Sequence, residues 1–213
     1  MSIKKNKREF ISNTSRQSCL NAITSHIRRE GSCVITGSYG CGKTELLKQI
    51  NAPGVQRVRS LGSLYQLLGN MAGVTEPSWR LKETYLNRLC DHPRIIVIDE
   101  AQHLAERVYP YLKIIMDAGC SVILSGLPDL HDLLRNRHPD VLSRMTHLKL
   151  EPLGAEELKR LLPDFDAEAV EVLHGSTANM REMMSVADNC RDYKLTNGLK
   201  TVTVEVVLMF VGD

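Results

Sequence analysis

The chain has 213 residues, 43% of them hydrophobic and 24% charged, and 27 Lys+Arg against 25 Asp+Glu leave a net charge of only +2. This composition excludes wholesale disorder and collagen-like or low-complexity classes, and the length suits one large core with a small companion domain. No apolar run reaches the ~18 residues that a membrane-spanning helix needs, and six cysteines without a CxxC pair or Cys/His cluster point to a reducing cytoplasm rather than a disulfide or zinc framework.

Residues 1–30 form a basic N-terminal segment and first helix, in which Lys4, Lys5, Lys7, Arg8, Arg16, Arg28 and Arg29 outweigh Glu9 and Glu30. Its first ten residues are expected to lack fixed structure. Residues 32–37 (SCVITG) read as a β-rich run ending in glycine, and the spacing from Lys43 onward suits a helix. Residues 55–58 predict a second strand, 61–71 and 79–89 amphipathic helices with Trp79 and Tyr85 as packing aromatics, and 95–98 a strand buried on both faces. A helix over 108–116, a strand over 121–124, a short helix over 129–135 and a strand over 146–150 complete the pattern. Strands alternating with helices predict an α/β fold with a parallel sheet, spanning residues 31–152.

Residues 153–213 read differently, as a small helical domain. Residues 155–162, 167–174 and 179–193 have helical spacing, with Pro163 and Gly175 between them and Met180, Met183 and Met184 as core. Residues 201–211 are β-branched, but Thr203 as N-cap and Glu205 in a first turn favour a helix.

Gly37-Ser38-Tyr39-Gly40-Cys41-Gly42-Lys43-Thr44 fits GxxxxGK[ST] between a predicted strand and a predicted helix. Glycines let backbone N–H groups curl around phosphate, Lys43 can reach the β- and γ-phosphates, and the Thr44 hydroxyl can ligate Mg²⁺. The apolar run ending in Asp99-Glu100 supplies the complementary half: Asp99 to hold Mg²⁺, and Glu100 to polarise an attacking water as general base. A nucleoside triphosphate and Mg²⁺ are therefore the expected cofactors. The DEAQH sequence is superficially like a helicase box, but helicases of that kind need two such domains and this chain has room for one.

Together with the IVIDEAQHL and VILSGLPDL strands, Arg144 in VLSRMTHLKLEPL and Arg181 in the later helices, the loop resembles an AAA+ ATPase, a P-loop NTPase with a helical lid. DEAQHL, the SGLP strand end and the short layout resemble more narrowly the bacterial and phage transposition ATPases of the Mu B, TnsC and IstB type. The resemblance implies sensor 1 at Ser125, although the usual Asn or Thr is missing there. It implies an arginine finger at Arg144, with Arg135 and Arg137 as rivals, and sensor 2 at Arg181. It also implies DNA contacts from Arg57, Arg59, Arg80 and Lys82. The implied function is an ATP hydrolase that forms a homo-oligomeric filament or ring on double-stranded DNA and recruits a transposase. The rivals are an initiator-like, helicase-loader-like or secretion-associated AAA+ ATPase, or a nucleotide-gated binding module with little turnover.

Overall fold

The computed structural model describes residues 14–177 and 179–211, so the basic stretch at 1–10 lies outside the described residues. The chain divides into two compact units, one of Ser18–Pro152 and one of Leu153–Asp213 together with the residues up to Gln17.

In chain order α1 (Thr14–Arg28) leads to β1 (Ser32–Thr36), α2 (Lys43–Lys48), β2 (Val55–Arg59), α3 (Leu64–Met71), α4 (Lys82–Asp91) and β3 (Ile95–Asp99). Then follow α5 (Tyr109–Asp117), β4 (Ser121–Gly126), α6 (Pro128–Arg137), α7 (Pro139–Leu142) and β5 (Met145–Lys149). The strands form one parallel sheet in the order β2-β3-β4-β1-β5. Every residue of β1 and β4 is buried, as is the middle of β3, which is why these strands read as continuous apolar runs. The edges β2 and β5 are only partly covered. Val34, Ile96, Ile98, Val122 and Leu124 of the sheet pack with Leu67 and Leu68 of α3, Leu89 of α4, Leu112 and Ile115 of α5, and Leu130 and Leu134 of α6.

Local chemistry sets the element ends. Ser63 and Gln66 form a capping box at α3, with the Ser63 amide donating to Gln66 Oε1 at 2.8 Å. Gly119, at φ 95°, turns the chain after α5, and the Cys120 amide then donates back to Ile115 O at 2.9 Å. The expected helix over 79–89 is corrected: Trp79–Leu81 is a 3₁₀ turn and the α-helix starts at Lys82. Trp79 is consequently 68% exposed instead of packed, whereas Tyr85 is buried, its hydroxyl accepting from the Ser78 amide at 2.8 Å.

The second unit contains α8 (Ala155–Leu161), α9 (Ala167–Ser176), α10 (Met180–Thr196) and α11 (Val204–Leu208). Leu158, Val170, Leu173, Met183, Met184 and Val207 lie in its core. Gly175 does not end the helix as expected; α9 runs through it to Ser176, and the Asn179 side chain caps α10 by accepting from the Arg181 amide at 3.0 Å. Both tendencies of the last segment are realised, because Val202 pairs in parallel with Phe165 and Thr203 then starts α11. No described helix is long and apolar enough to cross a membrane.

Candidate functional site

The loop between β1 and α2 leaves the buried end of a central strand, so its backbone is rigidly placed. Gly40 at φ 69° and Gly42 at φ 95° supply left-handed turns that side chains disfavour. At Gly37 a Cβ would lie 2.6 Å from both Cys41 Sγ and Leu150 O, which leaves glycine as the residue that fits. Ser38 and Tyr39 are exposed on the outer turn, while Cys41 is buried beneath it. Burial pushes the neighbouring Cys19 and Cys33 thiols up to about 11 and about 12, so both remain neutral and unreactive at physiological pH.

Lys43 is 6% exposed, and its Nζ donates to the carbonyls of Gly37 and Ser38, each at 2.8 Å. Among the described ion pairs none neutralises it. With Cys41 Sγ as a further contact at 4.0 Å, this buried cation is satisfied by neutral groups, and a phosphate seated in the loop would supply the missing opposite charge.

Thr44 Oγ1 donates to Asp99 Oδ2 at 2.6 Å, and Asp99 Oδ1 accepts from the Glu100 amide at 3.0 Å. A hydroxyl and a carboxylate at this spacing are the hard oxygen donors that Mg²⁺ takes alongside phosphate oxygens and water, so the residues present fit a nucleotide–Mg²⁺ complex. They edge an open recess that Leu47, Lys48, Arg57, Val58 and Val97 also line.

β4 lies between β1 and β3 in the sheet, which puts Ser125, the partner of Ile35, between the loop and the acidic pair. Ser125 is fully buried and its Oγ has no hydrogen-bond partner among the described residues. An orphaned hydroxyl at this place suits a polar ligand atom or an ordered water.

Glu100 adopts φ 53°, a left-handed conformation that costs a non-glycine residue about 1–2 kcal/mol. Gln102 belongs to none of the motifs that the sequence displays on its own. Its Nε2 donates to Glu100 Oε2 at 2.5 Å, and its Oε1 accepts from the Leu127 amide at 3.3 Å. Its place two residues beyond a candidate base was a signal, but its second partner on another element was invisible in the sequence. His103 ends a 3₁₀ turn over Ala101–His103.

The arginines fall in separate places. Arg144 precedes β5, and its guanidinium grips Asp117 at 2.5 and 3.2 Å and donates to Asp140 O at 2.6 Å. That guanidinium holds the Asp117 carboxyl below the usual carboxylate range. Met145 pairs with Ser32, at the opposite end of β1 from the loop, so Arg144 lies about 13 Å of strand away from its own chain's phosphate site. Arg135 lies beside His131 and Asp132, and Arg137 pairs with Glu106; both are exposed on α6. Arg181 stands exposed in the first turn of α10, in the other unit.

Of the DNA candidates, Arg57 donates to the carbonyls of Ile50 at 2.7 Å and Leu47 at 3.4 Å, which ties its guanidinium to the end of α2. Arg59 is exposed beside Asp99 in the sheet register. Arg80 lies over the Trp79 ring at 5.6 Å and Lys82 over the Tyr111 ring at 5.8 Å.

A GxxxxGK[ST] loop after β1, an acidic pair at the end of β3 and a polar residue on the intervening β4 define a P-loop NTPase. The chain belongs to the AAA-domain family, whose model matches residues 25–134. A comparison with curated protein sequences finds no match. Among solved structures, Cdc6p from Pyrobaculum aerophilum superposes with a TM-score of 0.68 at 14% identity, over 91% of this chain and 66% of that one. The Orc1 protein of Aeropyrum pernix in complex with DNA gives 0.67 at 17% identity, over 97% and 66%. The Orc2 protein of Aeropyrum pernix, in ADPNP–ADP complexes, gives 0.66 at 14%, over 96% and 68%. At these identities the likeness is one of fold, the AAA+ arrangement of a parallel sheet flanked by helices with further C-terminal helices. The chain spans about two thirds of the length of these proteins.

Proposed function

We propose that this AAA-domain protein is an ATP hydrolase that assembles as a homo-oligomer on double-stranded DNA and, when assembled, recruits and activates a transposase at the target site. The observation that carries the nucleotide step is the buried Lys43, whose described partners are neutral groups of its own loop, two carbonyls and Cys41 Sγ. In the loaded site the loop amides and Lys43 hold the phosphates, and Thr44 and Asp99 hold Mg²⁺, which supplies charge neutralisation at the phosphate oxygens. Glu100 takes the proton of the attacking water, and Ser125 orients that water from β4. Arg144 lies too far along β1 to serve its own site, so it acts on a neighbouring subunit's phosphates, which makes nucleotide binding and assembly one event. Hydrolysis then disassembles the oligomer.

Arg59, Arg80 and Lys82 are the contacts proposed for the DNA backbone, with Arg57 placing the strand that carries Arg59. Arg181 reports the nucleotide state to the helical unit. The similarity to an archaeal Orc1 protein solved with DNA supports the DNA part of this reading. It also favours a second reading, an initiator-like or helicase-loader-like role in which the client is replication machinery.

The test is ATP turnover with negative-stain imaging, with and without duplexes of unrelated sequence, at two salt concentrations and with Lys43→Ala as control. Ordered assemblies that need both ATP and DNA, form on every duplex and weaken with salt support the transposition-type reading. Assembly confined to one duplex sequence supports the initiator-like reading, and turnover that ignores DNA removes both.

A further inference from the structure

Trp79, the only tryptophan of the chain, is exposed although the turn that carries it is braced. Ahead of the turn, Pro77 packs on α3 so closely that a Cβ at Gly69 would lie 2.4 Å from Pro77 Cβ. Behind it, the buried Tyr85 accepts from the Ser78 amide at 2.8 Å, and the Leu81 amide closes the turn on Ser78 O at 3.1 Å. The fold therefore presents the indole to solvent on a fixed support.

Two cations flank it. The Arg80 guanidinium lies over the Trp79 ring at 5.6 Å and Lys82 Nζ over the Tyr111 ring of α5 at 5.8 Å. Neither has a carboxylate partner among the described ion pairs. An open aromatic ring beside unneutralised cations suits a flat partner that carries negative charge, and a nucleic-acid strand combines the two: a base stacks on the ring while its phosphates meet the cations. An apolar protein surface would cover Arg80 and Lys82 without supplying opposite charge. Inside an intact duplex both faces of a base are covered by its neighbours, so an indole on a surface turn stacks on a base only where that base has left the helix.

We propose that Trp79 is a stacking platform for an unpaired DNA base, with Arg80 and Lys82 on the adjoining phosphates. The inference rests on the reading of Arg80 and Lys82 as DNA-backbone contacts and adds that the strand held there is locally open.

The single tryptophan is its own probe. The full chain, with ATP–Mg²⁺ present throughout, is titrated with one duplex in three forms: intact, interrupted by a short gap of unpaired thymines, and interrupted by the same gap built of abasic sites. Anisotropy of end-labelled DNA reads affinity, and quenching of Trp79 emission reads stacking. The thymine gap is expected to quench the emission and to bind about 5–100-fold more tightly than the abasic gap, the scale of one stacked base. The intact duplex and the abasic gap should bind without quenching. Trp79→Ala should bind both gaps alike, and Trp79→Phe should recover part of the difference. The indole is 68% exposed, so its truncation leaves the core intact and a lost thymine preference is not a folding effect. Equal affinity of the wild type for the two gaps, or a thymine preference that survives Trp79→Ala, overturns the proposal. Binding of all three forms with unchanged emission overturns it too and assigns the turn to a protein partner. Should none of the three bind, the reading of Arg80 and Lys82 as DNA contacts fails first and takes the proposal with it.

Discussion

Thr44 and Asp99 stand 55 positions apart in the chain and share a 2.6 Å hydrogen bond from Oγ1 to Oδ2. β1 and β3 are not neighbours in the sheet; β4 lies between them, and the two side chains meet across its C-terminal end. In the proposed function this pair would hold Mg²⁺. Thr44→Ala is expected to weaken Mg²⁺-dependent ATP binding by about 10–100-fold, the range typical of a lost metal-site partner. Titration of Mg²⁺ at fixed nucleotide, read by calorimetry, checks this, and an unchanged magnesium dependence removes Thr44 from the site.

Lys43→Ala removes a buried cation that has no carboxylate partner among the described ion pairs. Its stability without nucleotide is therefore expected to equal or exceed that of the wild type. ATP at 100 times its Kd should stabilise the wild type by about 2.7 kcal/mol and leave the variant unmoved. Thermal melts with and without ATP–Mg²⁺ decide it.

The backbone of Glu100, at φ 53°, reverses the usual ranking of alanine over glycine. Glu100→Gly is expected to be more stable than Glu100→Ala by about 1 kcal/mol, because only glycine takes this conformation without a Cβ penalty. Urea denaturation measures the difference. Both variants should lose ATP turnover, since neither retains the base.

The register that pairs Met145 with Ser32 sets Arg144 apart from its own phosphate loop, so its role is testable by mixing. Lys43→Ala has a dead site and an intact Arg144; Arg144→Ala has an intact site and no finger. Each alone is expected to be inactive, and an equimolar mixture should recover up to about a quarter of wild-type turnover, the share of interfaces that join an intact site to an intact Arg144. An active Arg144→Ala variant transfers the assignment to Arg135 or Arg137.

In the helical unit, Arg191 and Lys194 hold the Asp164 carboxyl at about 2, with contacts of 2.9, 3.1 and 3.2 Å. The folded value lies below the ordinary 3.8, so the unfolded chain binds more protons between the two. The contribution is complete above pH ~4 and is lost as pH falls toward ~2, and it amounts to about 1–2 kcal/mol after allowance for partial exposure. Asp164→Asn should therefore be less stable than wild type at pH 7, with the gap closing below pH 3 in urea titrations.

The glycine-rich loop, the acidic strand end, the alternation that makes a parallel sheet and the change to helices after residue 152 are legible in the order of residues alone. Each is a local pattern: a fixed glycine spacing, a run of apolar residues buried on both faces, a 3.6-residue period. Other features arise from packing between distant segments. Trp79 is exposed because a 3₁₀ turn precedes α4, and α9 passes through Gly175 because packing of the helical core outweighs the propensity of one residue. Arg57 turns to the carbonyls of Leu47 and Ile50, and Arg144 to Asp117, although the family resemblance implies a DNA contact for the first and an arginine finger for the second. Gln102 reaches Glu100 and Leu127 at once because the sheet order sets β4 beside β3, a neighbourhood that depends on non-local strand pairing and leaves no mark on the residues around position 102.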